Sequence, residues 1–365
     1  MGQAPPGGDC NKEGRGMVFV KAGEFDERFP VICEWTTRPL KLAHAGDVLV
    51  CVVGATAGKI NEAIDCAIGR SVAAVRPKKE LSTGFLYHFL STQVQFLRAK
   101  SQGLAQGVIT REMLQHMEIP LPPLTEQQQI VEVLDRSDAL RARRRAAFAE
   151  LESLAQSLFL ELFGNPATNP KGWPIREIRD LLESASYGTS EKSSPVGEFP
   201  VLRMNNITRT GGMDFTELKF MDLDASDWER YLVRTGDVLF NRTNSAELVG
   251  KSAIFRETKK MAYAGYLVRL RVNSNNDPEY LSAFLNTSYA KRMLRGMCKS
   301  IIGMANINAT EIQGMKIPST PLPLQREFAR QIRTVETLKT LQRTSLAELD
   351  ALFAALQYRA FQGEL

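Results

Sequence analysis

The chain has 365 residues, 44% hydrophobic and 24% charged, with a formal net charge of +5; these are globular proportions, and the length suits two or three domains. No apolar run reaches the roughly eighteen residues of a membrane span, and the opening MGQAPPGGDC lacks the basic-then-apolar pattern of a secretory leader. Five scattered cysteines (Cys10, Cys33, Cys51, Cys66, Cys298) form neither a disulfide framework nor a zinc set, so a reduced, cytoplasmic protein is expected, whose modest positive charge permits a polyanionic partner without demanding one.

Residues 1–118 read as mixed α and β. Segments 16–23, 46–54 and 71–77 are strand-like and bounded by Gly and Pro, and 83–101 is helix-like. Residues 119–168 begin with the strip IPLPPLTEQQQI. Its prolines suit the approach to a helix and not its interior. Thr125 with Gln128 is expected to form a capping box. Ile130, Val133, Leu134, Leu140, Ala147, Phe148, Leu151, Leu154, Leu158 and Leu162 then recur at intervals of three and four, until Gly164-Asn165-Pro166 stops the helix. Within it, RARRR (141–145) is expected as a solvated charged face. Alternatively, Arg141, Arg143, Arg144 and Arg145 lie over DNA or meet acidic partner surfaces.

A turn-rich linker, GNPATNPKGWP (164–174), opens a second mixed region, 169–316. Strands are expected in 199–208, 236–243, 251–257 and 265–272, and a helix over 278–297. Residues 317–365 close the chain with a second Ile-Pro strip. A second helix follows, carrying Phe328, Ile332, Val335, Leu338, Leu341, Leu346, Leu349, Phe353 and Leu356, and ends at Gly363.

The order of parts occurs twice. Shifted by 198, residues 119–130 lie on 317–328, and Ala149-Glu150-Leu151 falls on Ala347-Glu348-Leu349 without a gap. Upstream, GDVLV (46–50) matches GDVLF (236–240) at a shift of 190. Each long helix has one apolar face, which is expected to pack against the other, antiparallel. From Glu126 to Phe163 such a helix would span about 57 Å, more than the roughly 34–36 Å of one duplex turn.

Catalytic signatures are missing. No Asn/Asp-Pro-Pro-aromatic motif of an amino-methyltransferase occurs, nor a G-x-x-x-x-G-K-[ST] loop. GATAGK (54–59) is one residue too short between its glycines and reads as a turn between strands. His44, His88 and His116 have no metal-ligand spacing and read as surface or packing residues. No nucleophile–base pair can be named.

The duplicated layout, the IPLPPLTEQQQI strip, the mid-chain LFGNP and the terminal AFQGEL resemble the DNA-specificity (S) subunits of type I restriction-modification enzymes, over nearly the whole chain. The resemblance implies an α/β (mixed α+β) fold with two target-recognition domains, at 1–118 and 169–316. A pair of long antiparallel helices, within 119–168 and 317–365, would separate them. It implies a non-catalytic subunit that reads a bipartite double-stranded DNA site. It also implies two methyltransferase (M) subunits and restriction (R) subunits as partners, with S-adenosylmethionine, ATP and Mg2+ on those chains and no cofactor on this one. A DNA-free interaction scaffold is the alternative. Two departures stand out. From Trp173 to Gly236 is 63 positions but from Met1 to Gly46 only 45, so the first half is expected to be about 18 residues short at its start. Leu324 also stands where the first strip has Glu126, so the two M-subunit contacts are expected to differ.

On this reading the DNA contacts come from loops. Arg242, Asn244, Ser245 and Lys251 follow the second Gly-Asp-Val-Leu strand. Arg suits guanine and Asn suits adenine in bidentate geometry. Thr189, Ser190, Lys192, Arg203, Asn205 and Asn206 form a second group. The first half offers Lys59, Arg70 and Lys21. The expected partner-binding residues are Glu126, Gln127, Arg141, Arg144 and Gln325.

Overall fold

The structure, a computed structural model, describes residues 1–102, 108–245, 247–301 and 304–365. It divides into two compact units, Met1–Arg145 with Thr344–Leu365, and Ala146–Arg343. Each long helix, Leu124–Phe163 (40 residues) and Leu322–Gln362 (41 residues), contributes one part to each unit.

In the first unit a five-stranded sheet runs in the order Cys10–Asn11, Trp35–Thr36, Met17–Val20, Cys66–Ile68, Leu42–Ala43. A three-stranded sheet has Val48–Cys51 at its centre, between Ile60–Glu62 and Val72–Val75. Val48, Val50 and Val52 point into a core closed by Leu86, Phe89 and Leu90 of the helix Thr83–Thr92. In the second unit a four-stranded sheet runs Leu182–Tyr187, Leu267–Val272, Val238–Asn241, Ser252–Ile254. Tyr280, Phe284 and Leu285 of Pro278–Asn286 pack on Val238 and Phe240 of that sheet.

Both Gly-Asp-Val-Leu segments build the same joint. Gly46 and Gly236 have φ of +97° and +94°, a region that strains any side chain. Each following aspartate is buried. Asp47 accepts two hydrogen bonds from the Arg76 guanidinium (2.7 and 2.8 Å) and one from the His44 amide (3.0 Å). Asp237 accepts two from Arg271 (2.9 and 3.0 Å) and one from the Arg234 amide (2.8 Å). Burial alone would push the Asp47 carboxyl up, but Arg76 and the His44 amide hold it below the usual carboxylate range.

The long helices pair antiparallel within each unit. In the first, Ile130 and Leu134 cluster with Leu356 and Ala360, while Arg141 reaches Asp350 (2.6 Å) and lies over the Phe353 ring (4.2 Å). In the second, Phe159 and Phe163 pack on Phe328, and Arg343 lies over Phe148. The expected continuous apolar seam is interrupted. Leu140, Leu338 and Leu341 are 50%, 41% and 60% exposed. Full burial is confined to the stretches where a mixed α/β region packs on the helices as well.

Two local expectations are corrected. The first long helix starts at Leu124, and the Gln127 amide already donates to Pro123 O (3.0 Å), so Thr125 lies inside the first turn and is not the cap. The helices expected over 83–101 and 278–297 are each broken, after Thr92 and at Thr287, which takes an extended backbone (ψ 151°) and caps the next helix by accepting from the Ala290 amide. The expected stop of the first long helix is observed, although the linker 164–174 lies within the second unit and not at its edge. Gly164 (φ +82°) ends the helix, and Lys171 Nζ donates to the free carbonyls of Glu161 and Leu162.

Candidate nucleic-acid interface

The two glutamines of the Ile-Pro strips are internal, which corrects their assignment to a partner surface. Gln127 is fully buried. Its Oε1 accepts from the Ser82 amide (2.8 Å), and its Nε2 donates to Glu80 O (2.8 Å) and Pro122 O (2.9 Å). Gln325 does the same 198 residues later, accepting from the Asp277 amide (2.7 Å) and donating to Thr320 O (2.8 Å) and Asn276 Oδ1 (3.1 Å). Each clamps the start of a long helix to the N-terminal turn of the helix behind the sheet. A glutamine amide supplies a donor and an acceptor in one rigid plane, which this double role requires.

Arg141 is likewise committed, to Asp138 (2.7 Å), Asp350 and the Phe353 ring; charge and packing inside the helix pair hold it there. Arg144 is exposed and has an interaction of its own. Glu126 is partly exposed at the start of the first long helix.

Ten of the thirteen expected DNA-binding residues lie in the second unit, four of them (Arg242, Asn244, Ser245 and Lys251) on the segment after Val238–Asn241. Arg242 leaves that strand, and its guanidinium stacks on the Tyr187 ring, 4.9 Å from the centroid. Tyr187 is 43% exposed and anchored by a hydrogen bond from the Ala309 amide to its hydroxyl (2.9 Å). Arg242 Nε is buried without a partner, and among the described residues nothing takes up its terminal nitrogens. Asn244 sits on the next short strand, paired opposite Ala305, and its Oδ1 accepts from the Ser245 amide (2.9 Å). Tyr266, 50% exposed, adjoins this group through its carbonyl, which accepts from the Arg242 amide (3.0 Å). Ser190, Lys192, Asn205 and Ser245 are exposed. Ala246, within the expected loop, lies outside the described residues.

Three members of the expected set face inward. Asn206 is buried; its Oδ1 accepts from the Arg203 amide and its Nδ2 donates to Asp214 O and Glu217 O. Thr189 is buried, with its hydroxyl accepting from the Glu191 amide (3.1 Å). Arg203 is partly buried and donates to Glu217 O (3.1 Å). Short polar side chains near turns satisfy the backbone first.

Lys251 spends two donors on Met204 O (2.7 Å) and Ile207 O (2.6 Å), yet it also lines an open cleft of ≈ 680 Å³ with Arg209, Glu247, Val249, Lys291 and Arg295. Lys291 donates to Gly250 O (2.7 Å). Burial, and then the charges of Lys251 and Arg295, lower the Lys291 ammonium to about 8. Burial and then Arg209 also lower Lys251. Four cations facing one carboxylate suit an anion. Arg209, Lys291 and Arg295 were not expected from sequence. The last two sit on a helix whose basic residues look like an ordinary solvated face.

In the first unit, Lys59 and Arg70 are exposed on turns. Lys21 is instead ion-paired with Glu34, whose hydrogen bond raises its ammonium, and approaches Glu24 at 3.9 Å. That neutralisation removes it from a phosphate-binding set. His88 is buried in the same unit, with Nε2 2.7 Å from Asp135 Oδ1, and Arg28 also bonds Asp135 (2.8 Å), pinning the long helix to the domain.

Among the described residues no helix is long and apolar enough to cross a membrane. Compared with known proteins, the chain is 26% identical over 326 residues to the type I restriction enzyme EcoKI specificity subunit of Escherichia coli K12, covering 82% of this chain and 69% of that one. It is 25% identical over 324 residues to the StySPI specificity subunit of Salmonella potsdam, with the same two coverages. Among solved structures, the S subunit of a type I restriction-modification system from M. genitalium superposes with a TM-score of 0.60 at 14% identity, covering 99% of this chain and 92% of that one. A chain from a study of assembly and conformational transition in a type I system gives a TM-score of 0.56 at 20% identity, covering 96% and 92%. Residues 8–150 and 170–351 match the type I restriction modification DNA specificity domain, and the chain therefore belongs to that family.

Proposed function

We propose that this chain is the non-catalytic reader of a type I restriction-modification complex, that each unit reads one half of a bipartite site in double-stranded DNA, and that the long helices fix the unread gap between the halves. The observation that carries the reading is Arg242. Stacking on Tyr187 fixes its plane, and its terminal donors are uncommitted among the described residues. A guanidinium held this way meets the O6 and N7 acceptors of guanine in the major groove at little entropic cost. Asn244 beside it suits adenine, while Arg209, Lys251, Lys291 and Arg295 supply phosphate affinity without sequence information.

Methylation and cleavage then belong to other chains. Two M subunits carry S-adenosylmethionine, and R subunits carry ATP and Mg2+, in a cytoplasmic complex. Glu126 and Arg144 remain candidates for contacts with M. The test is anisotropy titration of labelled duplex with the chain and its M subunit. Arg242→Ala is expected to cost about 1–3 kcal/mol on the cognate site and little on random duplex. Equal losses on both duplexes would overturn the assignment of Arg242 to base reading.

A further inference from the structure

The register of the second unit's four-stranded sheet sets Tyr187, Arg242 and Tyr266 on one face. Tyr187 pairs with Val268, and Val268 with Phe240. One step along, the Arg242 amide donates to Tyr266 O (3.0 Å), which continues the ladder and puts Arg242 opposite Tyr266. Residues two apart on a strand share a face. Phe240 and Val268 face the apolar core, so Arg242 and Tyr266 extend that face beyond it. The strand order Leu182–Tyr187, Leu267–Val272, Val238–Asn241 makes Arg242 cross the middle strand to stack on Tyr187. Tyr266 stands at the head of the strand it crosses.

Tyr266 is committed to nothing else. Its side chain is half exposed, and among the described residues its hydroxyl has no hydrogen-bond partner. The Tyr187 hydroxyl, by contrast, is held by the Ala309 amide. The backbone under Tyr266 is fixed on both sides. The Gly265 amide donates to Thr189 O (2.7 Å) and the Leu267 amide to Ala264 O (2.9 Å). A tyrosine presented in this way offers a large contact area with few torsions to freeze.

The first unit carries the same joint without the ring. There the Val52 amide donates to Ser71 O (2.8 Å), so Val52 and Ser71 take the places of Arg242 and Tyr266. Val52 is buried, and the Ser71 hydroxyl accepts from the Ala22 amide (3.1 Å). An exposed tyrosine is therefore no requirement of the scaffold.

We propose that Tyr266 is a second specificity-determining residue, whose ring packs on the 5-methyl group of a thymine next to the guanine read by Arg242. Directly opposed residues have Cβ atoms about 4.5–5.5 Å apart, and stacked bases rise about 3.4 Å. Neighbouring side chains thus address neighbouring base pairs. Among major-groove edge groups the thymine methyl is the apolar one, and it suits the ring. The inference rests on Arg242 reading guanine and extends that reading by one base pair.

The experiment uses the full chain with its M subunit and the site found by methylation sequencing. A thymine is expected beside the guanine whose recognition Arg242→Ala abolishes. Replacing it with deoxyuridine removes only the methyl group and should weaken wild-type binding about three- to tenfold. The same replacement should change nothing in Tyr266→Ala, whereas Tyr266→Phe should keep the methyl dependence. The inference is overturned if no thymine stands beside that guanine, or if deoxyuridine costs wild type and Tyr266→Ala the same. It is also overturned if Tyr266→Phe loses the methyl dependence, which would assign the contact to the hydroxyl, or if Tyr266→Ala weakens cognate and random duplex equally. Arg242→Ala distinguishes the two failures: equal losses on both duplexes remove the base-reading site itself, whereas a cognate-only loss with a silent Tyr266 removes this extension alone.

Discussion

The two units share a scaffold and differ in what the scaffold presents. After Val238–Asn241, the second unit offers Arg242 stacked on Tyr187, then Asn244, then a lysine turned into a cationic cleft. At the same place after Val48–Cys51, the first unit has Val52 and Val53, and its lysine, Lys59, points to solvent. The supports beneath are duplicated almost atom for atom. Positive-φ glycines precede buried aspartates held by arginines, and buried glutamines clamp the long helices. Geometry needed for folding is repeated, and chemistry needed for reading a sequence is free to diverge, because loop side chains do not enter the core.

The largest effect that would sharpen this comparison concerns the aspartates. Asp237 is enclosed by Arg271 and Arg269, whose side chains are 13% and 4% exposed, whereas the Arg76 side chain opposite Asp47 is 63% exposed. Asp237→Ala leaves the buried Arg269 without a carboxylate and Arg271 with only the exposed Glu229 at 3.4 Å, and is expected to cost about 3–5 kcal/mol. Asp47→Ala should cost about 1–2 kcal/mol, since water can solvate Arg76. Urea unfolding followed by a probe in each unit measures both, and equal losses would break the distinction.

The glutamines should behave alike. Gln127→Ala and Gln325→Ala each remove an acceptor from one buried amide and a donor from two acceptors, at about 1–3 kcal/mol apiece. Hydrogen exchange should show each loss in its own unit, while a wild-type exchange pattern would deny the clamp.

Smaller effects are expected in DNA affinity. Lys251→Ala with Arg295→Ala should weaken cognate and random duplex to a similar degree and flatten the salt dependence by about two counterions. An unchanged slope of affinity against salt would remove the cleft from the interface. The smallest is a pH effect. With Lys291 lowered to about 8, it is protonated below that pH and neutral above it, so affinity is expected to fall as pH rises through 8. Lys291→Arg stays charged and should abolish that fall.

Much of this architecture is legible in the sequence because prolines, glycines and three-four periodicity are local signals. The Ile-Pro strips, the Gly164 stop and the 198-residue shift place both helices. Burial is not a local signal. Gln127 and Gln325 look like exposed residues of a polar strip, and only the fold turns them inward. Thr125 has the spacing of a cap, but the helix begins one residue earlier. Lys291 and Arg295 are far from Arg209 and Lys251 in the chain, so the cleft exists only once the helix Ser288–Met297 packs behind the loop. Arg242 was identifiable by type and position, whereas its support from Tyr187, 55 residues earlier, was not.

The most direct test of the central claim is single-molecule methylation sequencing of a host carrying this chain with its M subunit. Two short half-sites separated by a fixed unread gap are expected, and exchanging residues 241–251 should alter one half-site and leave the other intact. Methylation without a fixed gap, or an exchange that alters both half-sites together, would contradict a chain built from two separate readers.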